Sequence, residues 1–210
     1  MTTKRTPDYG LFIDILLTLE RIQAPYMVIG AFAAIIYGAR RTTFDIDIVV
    51  NLNAAQIDAL VAAYPPPRYY ADPEQIRDSI RHGIMFNIID TSRGDKADLV
   101  PLTMAPHYQF AFQHRNRQVV ELPDSGPFEI WCARPEDVIV GKLMAWAEGR
   151  SRKHESDIHQ MLVFDALQEA SNTLDTFYID RQAQRLGEEV LHFWRTILEA
   201  ANAAKPGSKR

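Results

Sequence analysis

The sequence predicts an α+β (α/β) protein, with a mixed β-sheet flanked by helices and a C-terminal helical annex. Three observations predict it. Short apolar runs of strand length at residues 26–29, 44–50, 84–89 and 97–102 are interleaved with segments of helical spacing. From Pro135 onward the pattern is almost all helix. Of the 210 residues, 47% are apolar and 24% charged, an apolar fraction too high for intrinsic disorder. A chain of this length typically buries roughly 70% of its unfolded surface, which suffices for one core with an annex.

A first helix is expected over residues 9–22, where Leu11, Phe12, Ile15, Leu16, Leu19 and Ile22 follow the helical period. Residues 26–29 read as a strand and 31–37 as a short buried helix starting at Gly30. The second strand covers 44–50. Asn53 caps a third helix with the stripe Ile57, Leu60 and Val61, and Pro65-Pro66-Pro67 ends it. Asp72-Pro73-Glu74 opens a further helix that should close at Gly83. Residues 84–89 and 97–102 read as strands joined by the turn-rich segment 90–95. Residues 118–122 and 128–131 form an expected hairpin around Pro123-Asp124-Ser125-Gly126.

Charge narrows the function classes. Lys plus Arg total 23 against 27 Asp plus Glu, a formal charge of −4. A slightly acidic chain is not expected to bind nucleic acid strongly by itself, because phosphate neutralisation needs a basic surplus. The single cysteine, Cys132, excludes an intramolecular disulfide framework and a cysteine-rich zinc site. The early apolar run Leu11-Phe12-Ile13 is broken by Asp14, and the most apolar stretch, 26–39, is shorter than the ~18 residues of a membrane helix. The expectation is a cytoplasmic protein with no membrane association.

The chemistry-bearing residues concentrate between Gly30 and Asp47. On the strand 44–50, Asp45 and Asp47 share a face because strand side chains alternate, while Ile46 and Ile48 take the other. Their separation, roughly 6–7 Å along a strand, suits carboxylates converging on one or two divalent ions. The bland alternative is an edge strand with a solvated polar face. Gly30 sits between a strand and a helix, where backbone N–H groups and the helix dipole can face an anion; a glycine there also simply permits close packing. The chain then returns as Arg41-Thr42-Thr43-Phe44-Asp45-Ile46-Asp47. A phosphate cradle followed by an acid pair is what handling a Mg-nucleotide requires.

Ile29-Gly30-Ala31, the intervening helix and Arg41-x-Thr43-x-Asp45-Ile46-Asp47 resemble the signature of the polymerase-beta-like nucleotidyltransferases. The resemblance is to the small bacterial branch that includes AbiEii-type toxins and aminoglycoside nucleotidyltransferase relatives. It implies a nucleotidyltransferase fold, with Asp45 and Asp47 on Mg2+ in a two-ion site and Asp98 of Lys96-Ala97-Asp98-Leu99-Val100 as the third acid, completing a second metal site or acting as base. Read by position alone, Asp98 is equally a turn-proximal acid solvating a strand end. Ala31 stands where the family has Gly or Ser, so a seryl contact to phosphate is missing while the backbone donors remain. The resemblance also implies nucleotide contacts at Gly30, Ala31, Arg41 and Thr43.

The segment from Arg134 to Leu162, with Pro135-Glu136-Asp137-Val138-Ile139-Val140-Gly141-Lys142-Leu143 and Ser151-x-Lys153-His154-x-x-Asp157-Ile158, is similar to the helical block following the catalytic sheet in that branch. It makes Lys142 a phosphate contact and Asp157 its partner or supporting neighbour. Lys142 also lies on the stripe Val138, Ile139, Leu143 and Trp146, where a lysine commonly snorkels to solvent. The expected domains are a catalytic core over 1–132, a helical region over 133–203 and a flexible tail over 204–210.

Other features carry less. His154 and His159 are five residues apart, which is not ligand spacing on one helix face, and an exposed helix start is expected. Arg150, Arg152 and Lys153 read as a solvated loop, with contact to a polyanionic substrate as the alternative, and Trp194 reads as helix packing. Cys132 has no histidine partner pattern, and neither a Gly-x-Ser-x-Gly elbow nor a Walker motif is present. The expected activity is Mg2+-dependent transfer of a nucleoside monophosphate from a nucleoside triphosphate such as ATP to a hydroxyl acceptor, RNA, protein or small molecule. A toxin role would add an antitoxin protein as partner. The alternative is a degenerate fold acting as a non-catalytic nucleotide-binding or regulatory module.

Overall fold

The computed structural model describes residues 9–104, 106–121, 126–167 and 174–204. The expected turn residues Pro123, Asp124 and Ser125, and the expected tail beyond Ala204, lie outside the described residues. The chain divides into two compact units, one within Met1–Phe32 and Thr42–Ala133, the other within Ala33–Arg41 and Arg134–Arg210.

The first unit is built on a sheet. It opens with α1 (Gly10–Arg21), whose buried face is Leu11, Phe12, Ile15, Leu16 and Leu19. β1 (Tyr26–Ile29) follows, then α2 (Gly30–Ile36), within which the chain passes from the first unit to the second. β2 (Asp45–Val50) leads to α3 (Ala54–Ala63), where Asn53 and Gln56 form a reciprocal capping box that satisfies two end donors. After β3 (Tyr69–Tyr70) comes α4 (Pro73–His82), capped by Asp72 at one end and Gly83 at the other. β4 (Phe86–Asp90), β5 (Asp95–Pro101), α5 (Pro106–Gln113), β6 (Asn116–Val120) and β7 (Phe128–Cys132) complete it. β3 and α5 have no counterpart in the expectation from sequence. β6 also starts two residues before the expected strand, because Asn116 pairs with Cys132.

Among the described residues the sheet has seven strands in the order β3-β4-β5-β2-β1-β7-β6. β2 runs parallel to β5 and antiparallel to β1, and β1 runs parallel to β7, so the sheet is mixed. β2 lies in the middle. One sheet face is continuously apolar across the register: Val28, Ile46, Ile48, Ala97, Leu99, Ile88 and Phe86 are all buried. Burying that row contributes hydrophobic stabilisation to the unit.

The second unit is helical. It contains α6 (Pro135–Gly149), α7 (Arg152–Leu167), α8 (Thr176–Leu186) and α9 (Glu188–Ala203). α6 packs on α7 and α8, and α9 closes against the other three. Val138, Ile139, Leu143, Ile158, Met161, Ile179, Val190 and Ile197 form its core around Trp194, which is fully buried. The indole N–H of Trp194 donates to Asp180 at 2.6 Å, so its one polar atom is satisfied.

Residues 33–41 belong with these helices. Gly38 has φ +97°, and a Cβ there would lie 2.3 Å from Cβ of Phe164, so only glycine fits. The backbone N–H of Arg40 donates to Gln160. The end of α6 is held by Arg150, which adopts φ 52°, pairs with both Glu189 oxygens at 2.6 and 2.7 Å and lies over the Trp146 ring. Arg150 is exposed and lies in the loop after α6, as expected, and its surface ion pair with Glu189 tethers α6 to α9. Among the described residues no helix is long and apolar enough to cross a membrane.

Candidate functional site

Asp45 and Asp47 lie on one face of β2, and parallel pairing places Lys96 opposite Asp45 and Asp98 opposite Asp47. Because paired residues share a face, all four charges stand on the same side of the sheet, opposite the apolar row. The central position of β2 overturns the edge-strand alternative. Asp98 is the fourth residue of β5 and is buried, which overturns its reading as a strand-end acid. Thr43 is buried, and its hydroxyl donates to the carbonyl of Asp45 at 3.0 Å, fixing the entry to β2.

Gly30 has φ +69°, and a Cβ there would sit 2.0 Å from Oδ2 of Asp47. The antiparallel register explains the closeness, since Ile29 pairs with Asp47 and Gly30 is the next residue along. The backbone N–H of Ala31 donates to the Asp47 carboxylate. The Gly30–Ala31 turn thus already faces an anion, one supplied by the chain itself.

Asp98 is held from two sides. Lys96 Nζ bonds its two carboxylate oxygens at 3.0 and 2.8 Å, and the amide of Asn87, opposite it on β4, donates to Oδ1. Asp47 is less well compensated. Burial first, then the like charges of Asp98 and Asp45, push its carboxyl up to about 6, against the opposing pull of the Ala31 N–H and Lys96. Lys96 is itself raised, chiefly by its bond to Asp98.

Hard carboxylate oxygens are the donors Mg2+ takes, and a divalent cation would offset the like-charge repulsion that, after burial, raises Asp47. Asp45 and Asp47 fit such an ion. Asp98 fits only once Lys96 moves off its oxygens. In keeping with that, no group of three or more His, Cys, Asp or Glu side chains among the described residues is arranged to hold a metal ion.

The remaining residues singled out in the sequence come together in the helical unit. Lys142 is buried rather than snorkelling, with Nζ 2.6 Å from Oδ2 of Asp157, and Arg41 reaches the same oxygen at 3.2 Å. Asp157 is 2% exposed, so two cations are what make its burial tolerable. His154 lies nearby with its Nδ1 buried and without a hydrogen-bond partner among the described residues; burial, then Lys142 and Lys153, lower its pKa. His154 is therefore not a freely exposed helix start.

Lys96 and Asn87 are the site residues that the sequence reading missed. The signal for Lys96 was present, because i,i+2 spacing on a strand puts it on the face of Asp98. Asn87 depends on the β4–β5 register, which the sequence does not display.

No family model and no curated protein matches the chain. Solved structures do resemble it. The antibiotic-resistance factor ANT(2'')-Ia shares 14% identity over 92% of each chain, with a TM-score of 0.44. An antigenic nucleotidyltransferase-like protein from Paracoccidioides brasiliensis shares 16% over 92% of each chain, with a TM-score of 0.49. JHP933 from Helicobacter pylori shares 14% over 92% of this chain and 93% of its own, with a TM-score of 0.38.

Proposed function

We propose that the chain is a Mg2+-dependent nucleotidyltransferase that moves a nucleoside monophosphate from a nucleoside triphosphate to a hydroxyl acceptor. The observation that carries this reading is the placement of Asp45, Asp47 and Asp98 on one face of two central strands, where burial, then the like charges of Asp98 and Asp45, push Asp47 up to about 6. The motif resemblance around Gly30 and Asp45 supports the same reading. Asp45 and Asp47 would hold the cation, with Asp98 joining them in a two-ion site or taking the acceptor proton. A divalent ion there supplies charge neutralisation for the triphosphate and the departing pyrophosphate.

The chain's own residues have distinct tasks. Gly30 keeps the backbone close to Asp47, and the Ala31 N–H is a donor that the carboxylate and a phosphate oxygen would share. Thr43 positions Asp45 through its carbonyl. The family resemblance alone gives Arg41 and Lys142 a phosphate contact; within the helical unit both donate to Oδ2 of Asp157. The acceptor classes are RNA, protein and small aminoglycoside-like molecules. A toxin role and an antitoxin partner belong to this proposal through the family resemblance alone, and a cytoplasmic location through the apolar patterning of the sequence.

A second reading, a non-catalytic nucleotide-binding or regulatory module, is favoured by one observation: Asp98 is already engaged by Lys96 and Asn87. Incubation with each labelled nucleoside triphosphate and Mg2+, in the presence of RNA, protein and aminoglycoside acceptors, separates the two. Label transfer by the wild type that is lost in Asp45→Asn supports the enzyme. Mg2+-dependent binding without transfer supports the module, and no binding at all removes both.

A further inference from the structure

We propose that Lys96 is a built-in counter-ion of the acid cluster, neutralising Asp98 in the metal-free protein and giving way when a divalent cation binds. It thereby sets the cation affinity of the site. The inference rests on reading Asp45, Asp47 and Asp98 as cation ligands.

Three features of the geometry support it. Lys96 stands in register beside Asp45 and two residues from Asp98 on the same face, and its ammonium bonds both Asp98 oxygens. It therefore lies within the acid group rather than at its rim. The two partners differ in freedom: the Lys96 side chain is 41% exposed, whereas that of Asp98 is 8% exposed. A lysine head on a flexible four-carbon stem with an open path to water leaves readily, while a carboxylate buried on a strand stays. Asn87 holds Asp98 independently of Lys96, so the carboxylate keeps its orientation after the ammonium departs. The arrangement makes a divalent cation compete with a resident monovalent one. Arginine at this position would retain the charge but bind the carboxylate as a rigid fork, so it tests charge apart from shape.

The test is a titration of the full-length, metal-free protein with Mn2+, followed by electron paramagnetic resonance. Removing one positive charge bonded to a ligand carboxylate should tighten cation binding on the order of tenfold. Lys96→Met is expected to show that gain and to lose thermal stability without cation, recovering it with excess Mn2+. Lys96→Gln, which keeps a donor for Asp98 without the charge, should tighten binding similarly and serves if Lys96→Met does not fold. Lys96→Arg should bind Mn2+ close to the wild type. Equal or weaker Mn2+ affinity in folded Met and Gln variants overturns the role of Lys96 and leaves the acid site standing. Absence of Mn2+ binding in the wild type and every variant overturns the acid site, and this inference with it.

Discussion

The two units carry charge clusters of opposite balance. In the sheet unit, three carboxylates on one face have, among the described residues, a single ammonium beside them, Lys96. In the helical unit, a single carboxylate, Asp157, serves two cations, Lys142 and Arg41. Both clusters lie partly out of water, where charge is tolerated only when compensated. Asp157 is compensated by its own neighbours. Asp47 is less well compensated, and burial, then the like charges of Asp98 and Asp45, push its carboxyl up to about 6. In the helical cluster one carboxylate holds two cations, whereas in the sheet cluster three carboxylates share the charge of Lys96.

The largest expected effect is in the helical unit. Asp157→Ala leaves Lys142 buried without its carboxylate and should cost about 3–5 kcal/mol in urea denaturation. Replacing both partners by apolar residues, Lys142→Met with Asp157→Leu, should come much closer to the wild type. A small loss in the single variant would erase the contrast between the clusters.

Gly30→Ala comes next. It forces a left-handed backbone on alanine, about 1–2 kcal/mol, and drives a Cβ into Asp47, about 1–3 kcal/mol more. Adding Asp47→Ala should recover the second part only, which a double-mutant cycle measures.

Asp47→Asn should have the opposite sign, stabilising the protein by about 1–3 kcal/mol at pH 7.5. The folded-state pKa of about 6 lies above the ordinary 3.8, so the folded state binds the proton more tightly. Wild-type stability should therefore fall as pH rises from about 4 to about 6 and then level off, a slope absent from the Asn variant. Loss of stability in Asp47→Asn at pH 7.5 would make Asp47 a structural acid like Asp157.

The smallest expected effect is Arg41→Ala, about 1 kcal/mol, because its side chain is 29% exposed and Lys142 remains on the same oxygen. Urea midpoints of the two single variants would rank them.

Local signals were readable in the sequence where local chemistry decides the structure. β1 runs over the expected residues, α3 is capped by Asn53, and α4 lies between Asp72 and Gly83, because caps and glycines act on their own neighbours. The shared face of Asp45 and Asp47 was readable for the same reason. What needed long-range pairing was not. Lys96 faces Asp45 only through the β2–β5 register, and Asn87 reaches Asp98 from a third strand. Residues 33–41 join the helical unit through Phe164, Gln160 and Asp157, partners more than a hundred positions away. Nothing near Gly38 in sequence announces them. β3 is a two-residue strand with too short a pattern to register.

The central claim is that the acid face of β2 and β5 takes a divalent cation together with a nucleotide. Thermal-shift titration with ATP, GTP, CTP and UTP, each with and without Mg2+, tests it most directly. At least one nucleotide should raise the wild-type midpoint only when Mg2+ is present, and Asp45→Asn should abolish the rise. A wild type whose midpoint responds to no nucleotide in the presence of Mg2+ would contradict it.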